Sequence, residues 1–357
     1  MLSAQRAKYE GAGAVVLAAG KGTRMKSEMN KVLHDVLGRP LVSWVLALAA
    51  EMESVVVVGG HQYEQLVTTV ERCSERYSIE VECVLQAEQL GTGHAVLQAE
   101  HVTRDWGWLF VLYGDVPALR AETLAKLWDA ALHNGTLAVL TFETPDPSGY
   151  GRIVRGSNGR VKRIVEDRDC DDDERAIREV NAGIYCVRRA FCFEQLAALR
   201  TNNAQGEYYL TDVVAAVPGG AEAVRADERE VQGVNTRLDL VTVAHELQQR
   251  IIRHWMLGVG VTFIAPERTL VEPDVTIGRD TIIAPGVALR GRTEVGPGCR
   301  IEQGVLLENV TLAEGTTVGA YSVLRDQEFS VPGEVIRPQT LRLGPDEEAG
   351  WSDPGLI

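Results

Sequence analysis

Between residues 271 and 324 an aliphatic side chain returns at almost every sixth position: Val271, Ile277, Ile283, Leu289, Val295, Ile301 and Leu307, then Leu312, Val318 and Leu324. Small or turn-compatible residues fill the intervals, as in IGRDTI, IAPGVA and VGPGCR. A helix repeats its apolar face near every 3.6 residues and an ordinary strand every second one, so neither accounts for this spacing. A triangular parallel β-helix does, with one inward aliphatic residue on each side of every coil. At three sides per coil, the ten positions imply about three coils. So short a stack leaves its ends poorly covered, which predicts stacking or oligomerisation.

Upstream the pattern is different. Short apolar runs at 14–18 (AVVLA), 54–58 (SVVVV), 81–85 (VECVL), 108–112 (WLFVL) and 137–142 (LAVLTF) alternate with helical spacing at 31–50, 62–77, 93–101 and 121–133. Consecutive apolar residues mark strands buried on both faces. Their alternation with helices predicts a βαβ series and a mostly parallel sheet, with ligands at the carboxyl ends of the strands. Residues 152–164 and 181–187 read as further strands, and the acidic run 169–174 as a solvated loop. In 239–256, Leu240, Val243, Leu247, Ile251 and Trp255 fall on one helical stripe, a connection between two bodies. From 325 onward Pro, acidic residues and Gly take over, the composition of an extended tail. The expected division is 1–236 for an α/β domain, 237–262 for a linker helix, 263–326 for the β-helix and 327–357 for the tail. The full length, 357 residues, is also that of two domains rather than one.

The 36 Lys and Arg against 50 Asp and Glu leave a formal charge of −14, which argues against nucleic acid or an anionic membrane as the main partner. An anionic ligand must therefore be held by a local basic cluster. The six cysteines form no CxxC pair and read as reduced, structural thiols of a cytoplasmic protein. The opening MLSAQRAKYEG lacks the apolar stretch of a secretory signal, and no run reaches the ~18 apolar residues of a membrane span.

Such a basic cluster exists where the opening strand runs into LAAGKGTRM, Leu17 to Met25. Gly20 and Gly22 let the backbone approach a ligand, and Lys21, Arg24 and Lys31 bring three cations to one turn. This is the make-up of a triphosphate cradle, yet it is neither a Walker A sequence nor GxGxxG, since position 25 is Met. Asp115 follows the apolar run 108–112 at its carboxyl end, where a carboxylate either caps the turn or meets a metal-bound phosphate, and position alone favours the cap. The seven histidines show no metal-ligand spacing, and no GxSxG elbow supports a serine hydrolase.

After this loop, QAEQLGTGHA (86–95), LYGDVP (112–117), GYGRI (149–153), IVE (164–166), EVNAG (179–183), NNAQGEYYLTD (202–212) and GVN (233–235) follow in order. With these motifs the chain resembles the bacterial N-acetylglucosamine-1-phosphate uridyltransferases over about residues 14–325. The resemblance implies a Rossmann-like nucleotidyltransferase domain followed by a short left-handed β-helix. It also implies uridylyl transfer from UTP to N-acetylglucosamine 1-phosphate, Mg²⁺ as cofactor and a homotrimer assembled through the β-helix. In that reaction the sugar phosphate attacks the α-phosphorus in line and expels pyrophosphate, so charge develops on phosphoryl oxygens. The attacking phosphate, with a second pKa near ~6, is already an anion at neutral pH. Catalysis then becomes the positioning of two mutually repelling anions.

Carried over residue by residue, the resemblance assigns Arg24 and Lys31 to the phosphates as catalytic cations, and Asp115 with Asn235 to the metal. UTP binding falls to Leu17, Ala18, Ala19, Gly20, Gly22, Lys31, Gln86, Gly91 and Thr92, with Gln86, Gly91 and Thr92 reading the uracil. Tyr113, Gly151, Glu166 and Asn181 match the sugar contacts. Two positions depart from the pattern. Asn30 stands where the family often has Pro, which predicts a looser loop, and Ala182 where Thr is common, which removes one hydroxyl. The hexads end near Leu324, and the later coils that carry an acetyltransferase site in bifunctional members are not represented, so uridylyl transfer alone is expected. A sugar-1-phosphate nucleotidyltransferase of other specificity and a non-catalytic nucleotide-sugar binding or scaffold protein are the alternatives; Arg24, Lys31, Asp115 and Asn235 count against the latter.

Overall fold

The computed structural model describes residues 8–344. They divide into two compact units, one of the residues up to Asp35 with Arg39–Val243, the other of Val36–Gly38 with the residues from Ala244.

The first unit is built on a nine-stranded sheet. Its main path runs Glu222–Arg225, Leu137–Glu143, Glu179–Arg188, Trp108–Tyr113, Ala12–Ala18, Val55–Gly59, Val81–Leu85. Neighbours are parallel except around Glu179–Arg188, which is antiparallel to both of its partners. The hairpin Arg152–Arg155 and Val161–Val165 hangs from that strand. Alternate residues of Ala12–Ala18 feed two apolar layers. Ala14 and Val16 join Leu46, Leu66, Leu124 and Leu127 on one side, while Val15 and Leu17 join Val96, Phe193 and Leu196 on the other. Helices on both faces thus bury these strands completely, as their unbroken apolar runs demand. Val81–Leu85 is only half-buried, contrary to the buried strand expected, because it is the sheet's edge and pairs on one side alone.

The helix expected over 31–50 is shorter. A 3₁₀ turn, Lys31–Leu33, is followed by a two-strand corner and then by the helix Leu41–Ala49. Leu37 and Gly38 both take positive φ, and Pro40 ends the interruption, so helical hydrogen bonding cannot run through. The acidic run is not a plain loop either: Asp171 caps a short helix, Asp172–Arg175, in a capping box closed by Glu174.

In the second unit the strands form three parallel ladders of five, five and four. Partners lie 18 residues apart in most rungs, as in Leu270↔Ala288, 17 apart where the hexad shortens at Leu307 to Leu312, and 20 apart in the first rung, Thr262↔Ile282. This is the short left-handed parallel β-helix, with the hexad aliphatics in one buried core. It has between four and five coils rather than about three. The coils missed in the sequence carry Phe263 before the repeat, and Phe329 and Ile336 after it, at spacings that break the period of six. Strands Glu328–Phe329, Val335–Ile336 and Leu341–Arg342 therefore occupy residues expected as tail; 345–357 lie outside the described residues. Glycine is required where coils stack tightly: a Cβ on Gly278 would stand 2.4 Å from the backbone nitrogen of Pro297 in the next coil.

The helix Arg237–His254 supplies the cap for this stack. Gln248 Nε2 donates to the Val271 carbonyl at 3.3 Å, and its Oε1 accepts from the Val271 N–H at 3.1 Å. One side-chain amide thus stands in for the missing strand at the first edge. Gln248→Ala leaves both buried backbone groups unpaired and is expected to cost about 2 kcal/mol or more. A lowered denaturant midpoint for the β-helix checks this, and an unchanged midpoint refutes it.

All six cysteines are unpaired thiols. Among the described residues no helix is long and apolar enough to cross a membrane.

Candidate active site

The carboxyl ends of the central strands open onto one cavity of about 460 Å³. The strand Ala12–Ala18 delivers Ala19 and Gly20 to its rim, and the chain then turns through Gly22, whose φ is +58°. A Cβ on Gly22 would lie 2.7 Å from Cβ of Lys31, so the close approach of these two segments needs glycine there. Asn30 precedes Lys31 and is fully buried. Its Oδ1 accepts from the Val32 N–H, its Nδ2 donates to the His61 carbonyl at 2.7 Å, and its own N–H donates to Gln62 Oε1 at 2.6 Å. The loop is therefore not loosened by the departure from Pro: side-chain hydrogen bonds hold it.

Lys31 points into the cavity, where Nζ bonds Asp115 Oδ2 and, at 3.0 Å, Asn235 Oδ1. Asp115 and Asn235 are 120 positions apart in the chain, and the fold joins them through Val234, whose N–H donates to the Asp115 carbonyl at 2.9 Å. Asp239 Oδ2 accepts from the Asn235 and Thr236 amides at 3.0 and 2.8 Å, fixing the turn that presents Asn235. His34, buried beyond Lys31, meets Arg237 Nη1 at 3.2 Å. Burial first, and then the guanidinium, lower its pKa.

The donor set fits a magnesium ion. Two oxygens, one carboxylate and one amide, already converge on a single cationic atom, and Mg²⁺ takes few protein oxygens when substrate phosphates and water complete its shell. Among the described residues no group of three or more His, Cys, Asp or Glu offers a full protein cage.

Elsewhere on the wall, Gln86 Nε2 donates to the Gly91 carbonyl at 3.1 Å and lies 3.1 Å from His94 Nδ1. This fixes the amide plane with Oε1 as its acceptor. Asn181 is aimed inward by an irregularity in its strand between Asn181 and Tyr185, where Gly183 has φ +78°. Tyr185 OH accepts from Asn181 Nδ2 at 2.7 Å. Glu166 accepts from Thr211 Oγ1 at 2.9 Å, and burial raises its pKa despite that bond. Tyr113 is also raised, chiefly by burial.

Of the residues expected from the sequence, Leu17, Ala18, Ala19, Gly20, Lys31, Gln86, Gly91, Thr92, Tyr113, Asp115, Gly151, Glu166, Asn181 and Asn235 line this one cavity. Gly22 and Arg24 do not. Gly22 supports Lys31 from behind, and Arg24 is exposed on the turn Thr23–Met25. Its charge still reaches the lining residue Tyr150, where it opposes the rise that burial causes. Gln89, Tyr185 and Thr211 also line the cavity, beyond the residues expected from the sequence. The motifs QAEQLGTGHA and NNAQGEYYLTD contained Gln89 and Thr211; nothing local marked Tyr185.

The model of the MobA-like NTP transferase domain matches residues 14–217. The chain is 42% identical to the bifunctional protein GlmU of Trichlorobacter lovleyi, covering 93% of this chain and 75% of that one. It is 44% identical to the GlmU of an Anaeromyxobacter species, over 94% of this chain and 69% of the relative. With that of Desulfotalea psychrophila it shares 40% identity, over 87% of this chain and 92% of the relative.

Proposed function

The chain belongs to the GlmU family, and on that premise we propose that its α/β unit transfers a uridylyl group from UTP to N-acetylglucosamine 1-phosphate, a step toward cell-envelope precursors. An oxygen of the sugar phosphate bonds to the α-phosphorus, the bond to the β-phosphate oxygen breaks, and pyrophosphate leaves with its electron pair. The observation that carries this reading is the meeting of Lys31, Asp115 and Asn235 on the wall of a cavity that also bears Gln86 and Glu166.

Lys31 neutralises the phosphates, with Arg24 as a second cation from the exposed turn. Asp115 and Asn235 hold Mg²⁺, which when bound supplies further neutralisation of phosphoryl charge. With Nε2 committed to Gly91, Gln86 presents Oε1 to the uracil N3–H. Cytosine offers an acceptor at that position, so the same orientation favours UTP over CTP. Gly91 and Thr92 admit the flat base. Tyr113, Gly151, Glu166 and Asn181 hold the sugar. The proposed protein is cytoplasmic and homotrimeric through its β-helix, so light scattering is expected to give three times the chain mass, and a monomer overturns that assembly.

Pyrophosphate release measured with four nucleoside triphosphates and several sugar phosphates tests the reading. UTP with N-acetylglucosamine 1-phosphate is expected to dominate; a dominant preference for another pair, or release with none, overturns it. Glu166 adds a pH signature. Its carboxylate accepts from sugar hydroxyls, and burial raises its pKa, so acidification removes the acceptor at a higher pH than the ~4.3 of an ordinary glutamate. KM for the sugar phosphate should therefore rise as pH falls toward that range more steeply than protonation of the substrate's own phosphate requires, and Glu166→Gln should remove that excess. A profile identical in the variant refutes the assignment.

A further inference from the structure

Asn30 is fully buried and lines no part of the cavity, yet each of its polar groups is engaged. Its carbonyl accepts from the Leu33 N–H at 3.0 Å and its Oδ1 from the Val32 N–H at 3.2 Å, closing the turn Lys31–Leu33. Its Nδ2 and N–H tie that turn to His61 and Gln62, beyond the carboxyl end of the strand Val55–Gly59. Gln62 completes the clamp by donating Nε2 to the Glu28 carbonyl at 2.7 Å. The next residue, Lys31, is pressed at Cβ against Gly22 and engaged at Nζ by Asp115 and Asn235. A lysine stem is long and flexible, so the reach of its ammonium is defined only if its root is fixed.

We propose that Asn30, through Gln62 and His61, is the positioning residue for Lys31 in nucleotidyl transfer. It touches no substrate and acts by holding the backbone from which the ammonium reaches the phosphates. The inference rests on the transfer reading above.

The test is a double-mutant cycle of Asn30→Ala and Lys31→Ala on the whole chain, with kcat and KM for pyrophosphate release and the UTP dissociation constant without sugar phosphate. A misplaced group of this kind costs roughly ten- to a hundredfold in rate. Asn30→Ala is expected to lower kcat by that factor and leave KM for the sugar phosphate unchanged. The double variant should be no slower than Lys31→Ala alone, because the clamp has nothing left to position. Asn30→Ser, which keeps an acceptor for the Val32 N–H, should recover part of the loss. Multiplying losses, or wild-type kcat in Asn30→Ala, overturn the inference. Should Asn30→Ala fail to fold, Gln62→Ala cuts the clamp from the other side and must show the same non-additivity with Lys31→Ala. Absence of turnover by the wild type would sink the transfer reading instead. The cycle on UTP affinity then decides the positioning role by itself: coupling between the two sites supports it, and independent effects overturn it.

Discussion

Lys31→Ala should abolish most of the pyrophosphate release, by about a thousandfold, while circular dichroism at the assay temperature stays native. The ammonium is nearly enclosed, with 14% of its side chain exposed, so its charge acts on the phosphates with little screening by water. Its loss also leaves Asp115 without its cation, and a modest fall in melting temperature should accompany the loss of rate. Lys31→Arg is not expected to rescue: a planar guanidinium is wider than an ammonium and does not fit between Asp115 and Asn235 in the same way. Steady-state pyrophosphate release beside a thermal melt separates the two effects. Turnover within a few-fold of wild type would remove Lys31 from the chemistry.

Asp115→Asn is the second large effect. The substitution keeps size and shape but removes the one carboxylate in the proposed metal pair and the counter-charge of Lys31. Loss of several kcal/mol of charge stabilisation lowers kcat/KM more than about a hundredfold. A readout independent of turnover is Mn²⁺ binding in the presence of UTP, followed by electron paramagnetic resonance. Weakened binding is expected for Asp115→Asn and, to a lesser degree, for Asn235→Ala. Unaltered Mn²⁺ affinity in both would dissociate these residues from the metal.

Much of this fold is legible in the sequence. The sheet strands were readable because burial on both faces requires consecutive apolar residues, and the β-helix because one inward side chain per face imposes a period of six. The misreadings have local physical causes. Helical spacing over 31–50 concealed Leu37, Gly38 and Pro40, whose backbone geometry stops a helix regardless of its apolar stripe. The coils at Phe263, Phe329 and Ile336 were missed because corner lengths vary while the inward register is kept. In the sequence alone Asn30 looks like a weakness of the loop, because two of its partners, His61 and Gln62, lie some thirty positions away and only Val32 and Leu33 are local.

What the sequence determined by itself was the alternation of elements, the presence of a glycine-lined basic turn, and the identity of the polar residues able to serve a phosphate, a base and a sugar. These depend on periodicity and residue chemistry, which are properties of short windows. Only the tertiary structure decided that Lys31, Asp115 and Asn235 share one point, that Gly22 must lack a side chain to let Lys31 in, and that Arg24 stands at the surface. The reason is geometric: such contacts join strand ends far apart in the chain, and no local pattern encodes which ends the sheet order makes neighbours.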